Sequence, residues 1–168
     1  MELEIGMGRS HYLFERALAM PDRQIIGIEW KARWVTQALA KKEREHITNV
    51  CATHGNAWLL VPDMFEPESL DQITVNFPDP WWKTRHHKRR VLSESFIDIL
   101  VSKLKPGGVI FLQSDVSMLF DEYFARLKEH PAFTTQLLDH NPMNARSHRE
   151  KKCEENGIVV YRGLFIKN

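Results

Sequence analysis

Apolar and polar positions alternate between two periods along most of this chain. Leu3 to Ile5 form a short apolar run stopped by Gly6-Met7-Gly8, the pattern of a buried strand leaving through a glycine turn. Tyr12, Leu13, Arg16, Ala17 and Met20 then recur at helical spacing, and Pro21-Asp22 closes that helix. QIIGIE predicts a second strand ending at Glu29, and KARWVTQALAKKERE a second helix. A weaker strand is expected near NVCAT, and a fourth at LDQITVNF. Phe96, Leu100 and Leu104 mark one face of a helix ending at KPGG; VIFLQSD reads as a fifth strand and SMLFDEYFARLKEH as the next helix. Beyond it, FTTQLL and IVVYRGLFI predict two strands separated by a polar loop from Asp139 to Gly157, with no helix between them.

Strand and helix alternation argues for an α/β fold: a mostly parallel, doubly wound, Rossmann-like sheet with an antiparallel pair at its C-terminal edge. The 168 residues are expected to form a single domain, without internal repeat or linker. Trp30, Trp34 and Phe120 are expected to serve core or flank packing. Cys51 and Cys153 make no paired framework, and no stretch approaches the length of a membrane span, so the expected compartment is the cytoplasm.

Charge changes the picture locally rather than in sum. Lys and Arg number 23 against 22 acids, a net charge of +1, yet Lys83, Arg85, Lys88, Arg89 and Arg90 crowd into one acid-free stretch. That stretch ends the segment NFPDPWWKTRHHKRR, which follows directly on the fourth strand. Pro78 and Pro80 present Asp79 on stiff backbone. Trp81 or Trp82 can stack on a base, and the cations, with His86 and His87, can meet phosphates. Adjacent histidines lack the spacing of a metal site, and no metal is assigned.

Ligands on open α/β sheets bind beyond the carboxyl ends of the strands. Here those ends carry Gly6 and Gly8, Glu29, the Asn76 to Trp82 segment, and Ser114-Asp115. A glycine turn followed by an acid that can accept from a ribose suits a nucleoside cofactor, and Ser10 in place of a third glycine counts against a dinucleotide.

LEIGMG, IIGIE, NFPDPWWKTRHHKRR, LKPGG and SD, in this order, resemble the bacterial tRNA (guanine-N7)-methyltransferases, and the resemblance covers nearly the whole chain. It implies transfer of a methyl group from S-adenosylmethionine to a guanine of the tRNA variable loop, position 46. By motif, Glu4, Gly6, Gly8, Glu29, Asn56 and Asp79 would bind the cofactor. Lys83, Asp115, Ser147 and Glu150 would contact the guanosine, with Asp79 and Asp115 as the catalytic carboxylates. Arg85, His86, His87, Lys88, Arg89 and Arg90 would bind RNA. Ser147 stands where threonine is usual, and relatives carry residues ahead of the first strand, so the chain reads as short at its N-terminus. The partner is expected to be tRNA, without membrane or metal, and the protein a monomer or homodimer. Two alternatives stay open: a tRNA-binding paralogue with impaired catalysis, and a methyltransferase acting on another nitrogen.

Overall fold

The computed structural model describes the backbone of residues 1–168 and every side chain except those of Thr84, Lys88 and Arg89. Its strands are β1 (Glu2–Ile5), β2 (Ile25–Glu29), β3 (Val50–His54), β4 (Leu70–Asn76), β5 (Leu104–Ser114), β6 (Phe133–Leu137) and β7 (Tyr161–Lys167). The helices are α1 (His11–Ala19), α2 (Ala32–Arg44), α3 (Ala57–Met64), α4 (Glu94–Lys103), α5 (Ser117–Glu129) and α6 (His148–Glu155), with a 3-10 turn at Thr84–Arg89.

The strands form one seven-stranded sheet in the order β3-β2-β1-β4-β5-β7-β6. β1 through β5 pair in parallel, and β7 is antiparallel to both β5 and β6. β1 and most of β2 and β4 are buried residue after residue, as expected of strands covered on both faces. One apolar layer joins Leu3, Ile5 and Ile73 to Val61 of α3, Phe96 and Leu100 of α4, and Phe120 and Tyr123 of α5. A second joins Leu13 and Phe14 of α1 and Val35 and Ala38 of α2 to Ile25, Val50 and Ala52. The α/β, Rossmann-like class is therefore present, and its strand order reverses between β1 and β4.

Several elements differ from the sequence expectation. α3 crosses between the parallel strands β3 and β4; its stretch, AWLLVPDM, holds Pro62 and lacks a strong apolar stripe. Its last carbonyls are satisfied from outside, since Lys103 Nζ donates to Pro62 O at 2.8 Å and to Phe65 O at 2.6 Å. α6 occupies the segment expected to be a loop between the last two strands; it buries only Glu150 and Cys153 and so shows no hydrophobic periodicity. Leu104 opens β5 rather than closing α4, and the register with β4 jumps from Leu70–Leu104 to Gln72–Val109, leaving KPGG as an irregular bulge. The antiparallel pair is present, with β7 inside the sheet and β6 at its edge. Phe120 is buried, whereas Trp30 is 69% exposed and does not pack in the core. Among the described residues no helix is long and apolar enough to cross a membrane.

Candidate active site

Short strands that stop together at the β1–β4 switch point put their following turns on one rim. Gly6 N donates to Ile28 O at 2.8 Å, which folds the turn after β1 against β2. Gly6 and Gly8 take φ of +76° and +50°, and a β-carbon on either would meet no atom within 4 Å. Conformation therefore demands glycine there, and the space in front of the turn is open. Ser10, at φ 60°, adopts the same left-handed region with a side chain, its hydroxyl donating to Arg9 O at 2.7 Å.

Glu29 is fixed by two backbone amides: Gly8 N donates to Oε2 at 2.9 Å and Lys31 N to Oε1 at 2.8 Å. Each oxygen keeps a second lone pair for a ligand. Asn56 stands beside it, because Gly55 N donates to Glu29 O at 3.0 Å; its own Oδ1 caps α3 by accepting from Trp58 N at 3.0 Å.

Glu4 lies next to this rim and is buried. Its Oε1 accepts from Asn76 Nδ2 at 2.9 Å, and its Oε2 has no partner among the described residues. Burial pushes its carboxyl up to about 7; the charge of Glu29 adds to the rise and the Asn76 hydrogen bond opposes it.

From Glu4 a buried polar chain crosses the sheet. Gln113 Nε2 donates to Asn76 Oδ1 at 2.7 Å and to Glu150 Oε2 at 2.9 Å. Arg162 of β7 donates to Gln113 Oε1 and to Glu150 Oε1, both at 3.2 Å, and Asn141 Nδ2 lies 3.0 Å from both Glu150 oxygens. The sequence does not single out Gln113, Asn141 or Arg162 as site residues. Glu150, Asn141 and Arg162 also line a cavity of about 490 Å³ with Asp139, His140 and Arg146, within the size range of small-ligand sites.

Some expected site residues are engaged differently. Ser147 caps α6, its hydroxyl accepting from Glu150 N at 3.1 Å, and Glu150 is fully buried with both oxygens hydrogen-bonded. Asp115, beyond β5, accepts from Arg149 Nε at 3.0 Å and also from Arg149 Nη2, a partner the sequence did not suggest. Asp79 is exposed on the loop after β4, bracketed by Phe77 and Trp81 at φ 49° and 47°. Arg90 departs most from expectation. Its side chain is 7% exposed, donates to Pro80 O at 3.0 Å and pairs with Glu122 of α5, so it ties the Pro-Asp-Pro loop down instead of facing a phosphate. Lys83 and Arg85 are exposed and His86 and His87 half-buried, while the RNA-binding roles expected of Lys88 and Arg89 lie outside the described side chains.

The residues present fit S-adenosylmethionine: an open glycine turn, an acid held by two amides at the end of β2, and an orphaned buried carboxylate oxygen that a cationic group can satisfy. Sequence comparison agrees. A family model described as "Putative methyltransferase" matches residues 1–163. The tRNA (guanine-N(7)-)-methyltransferase of Synechococcus sp. (strain JA-3-3Ab) is 34% identical over 165 residues, covering 96% of this chain and 70% of its own. This chain belongs to the tRNA (guanine-N7)-methyltransferase family. Another member, from Nitrosococcus oceani, is 38% identical over 168 residues, 99% of this chain and 71% of its own. The fold extends further: precorrin-6y C5,15-methyltransferase from Geobacter metallireducens GS-15 aligns with a TM-score of 0.70 at 17% identity, over 99% of this chain and 79% of that one.

Proposed function

We propose that this chain transfers a methyl group from S-adenosylmethionine to N7 of a guanine in tRNA, at position 46 of the variable loop. The observation that carries the reading, beside family membership, is the adjacency of a nucleoside-type rim to a buried polar chain that ends at the Glu150 cavity.

S-adenosylmethionine, when bound, supplies a methyl carbon carried on a positively charged sulfur. Glu29, pre-aimed by its two amides, accepts from the ribose hydroxyls, with Gly6 and Gly8 leaving the backbone open to close approach. Asn56 meets the adenine, and the free Oε2 of Glu4 faces a cationic group. Guanine N7 already holds an in-plane lone pair, so no side chain has to remove a proton before attack. The task left to the protein is alignment, which can supply much of the rate. Positive charge moves onto the purine as the bond forms. Asp79 and Asp115 stabilise it by accepting from the N1–H and 2-amino edge, an edge adenine does not present. Arg149 holds the Asp115 carboxylate in place, Glu150 shapes the cavity, and Lys83 and Arg85 contact the RNA backbone. Such a substrate places the protein in the cytoplasm, working as a single domain.

Incubating unmodified bulk tRNA with the protein and methyl-labelled S-adenosylmethionine, followed by nucleoside mass spectrometry and fragment mapping, tests this directly. Label in 7-methylguanosine from the variable loop is expected. Label on another nitrogen, or none, would sink the reading.

A further inference from the structure

Positive charge on the carboxyl edge is not confined to the stretch after β4. Arg9, in the turn after β1, lays its guanidinium 5.4 Å from the centroid of the Trp34 ring, and Arg33 lies 4.5 Å from the same ring. Arg9 also donates toward His148 Nε2 at 3.4 Å, and the His148 ring stands 5.0 Å from that of His11. Three elements far apart in sequence thus meet at one place: the β1 turn and α2 bring a guanidinium each, and α6 brings the His148 ring.

The carboxylate at this turn, Glu29, accepts from Gly8 N and Lys31 N rather than from a guanidinium among the described residues. Residues 30–42 contain no acid, and among the described residues neither Arg9 nor Arg33 is in an ion pair. Glu15 of α1 pairs with Lys151, and Glu154 and Glu155 of α6 pair with Arg146 and Lys152. His11 reports the same field: burial holds it below its ordinary value, and the charges of His148, Lys151 and Lys41 press it the same way against Glu15. Arg9 and Arg33 are exposed and Trp34 half-buried, so one indole gathers two guanidiniums that face solvent. Two uncompensated guanidiniums sharing one ring repel each other, and an arriving polyanion removes that cost.

We infer that Arg9, Arg33, Trp34 and His148 form a second RNA contact that takes the phosphodiester backbone of the same tRNA, on the opposite side of the β1–β4 switch point from residues 83–90. This rests on the tRNA reading above. The substrate is then held at two rims with the cofactor and guanine sites between them, which suits an enzyme that must open tertiary contacts to present one base.

The test is the salt dependence of binding to an unmodified tRNA transcript, followed by fluorescence anisotropy, for the wild type, Arg9→Gln/Arg33→Gln and Arg44→Gln. The double variant is expected to flatten the slope of log affinity against log salt by roughly 0.7 to 0.9 for each phosphate it no longer engages. Its melting temperature and its calorimetric affinity for S-adenosylmethionine are expected to match the wild type. Arg44, at the far end of α2 and paired with Glu45, serves as the control whose slope stays unchanged. Should the double variant melt early, the single Arg33→Gln, at an exposed position, carries the comparison. An unchanged slope in the Arg9 and Arg33 variants overturns the inference, as does equal flattening by Arg44→Gln. Failure of the tRNA reading shows separately, as wild-type protein that leaves 7-methylguanosine unlabelled.

Discussion

Glu4 shows what a single side chain can impose on the molecule. Its unfolded form ionises near 4.5 and its folded form near 7, so between these values the native state binds more protons than the unfolded state. Stability therefore falls as pH rises through that window, and above it the buried charge costs roughly 3 kcal/mol in the absence of ligand. Glu4→Gln, which keeps an acceptor for Asn76, is expected to exceed the wild type in unfolding free energy at pH 8 by about that amount. The advantage should vanish well below pH 4.5, where both states of the wild type hold the proton. Denaturation curves across pH check both the sign and the window. Residues of this kind were partly legible: Gly6 and Gly8 stood out because a glycine turn is marked by local spacing, and Glu29 because it closes an apolar run. Arg149, Asn141, Arg162 and Gln113 did not, because each acts through a partner brought near only by the fold, and an isolated polar residue carries no local mark.

At the scale of elements, the loop after β4 and α5 are one unit, joined by Arg90 between Pro80 O and Glu122. Arg90→Lys keeps the charge and loses the forked geometry. The variant is expected to lower kcat for methyl transfer several-fold while leaving the salt slope of tRNA binding at the wild-type value, since the side chain is turned inward. A flattened slope would return Arg90 to the RNA surface. α6 depends on its cap: Ser147→Ala is expected to cost about 1 kcal/mol by urea denaturation, and Ser147→Thr much less. Both missed helices trace to one physical cause. α3 carries a proline and α6 is almost wholly polar, so tertiary contacts, through Lys103 in one case and the Glu150 network in the other, hold what periodicity does not announce. The parallel strands were readable because continuous burial leaves unbroken apolar runs.

For the molecule as a whole, the buried Arg16 acts as a keystone. It donates to Glu2 at 2.7 and 2.9 Å, to Gln72 Oε1 at 3.2 Å and to Met143 O at 2.6 Å, joining α1, β1, β4 and the segment that carries Asn141. Among the described residues Arg16→Ala leaves Glu2 paired with Arg23 alone, at 3.3 Å, and is expected to destabilise the protein by about 3 kcal/mol. It should also loosen residues 139–146, read as faster amide exchange there than elsewhere in the sheet. The order of the strands reaches beyond the folded state. β6 touches the sheet only through β7, which is made after it, and β7 also covers one side of β5. A nascent chain emerging from the ribosome therefore carries the bare hydrogen-bonding flank of β5, and a β6 segment without a strand partner, until Tyr161–Lys167 has cleared the exit tunnel. That interval is when chaperone protection matters most for this fold.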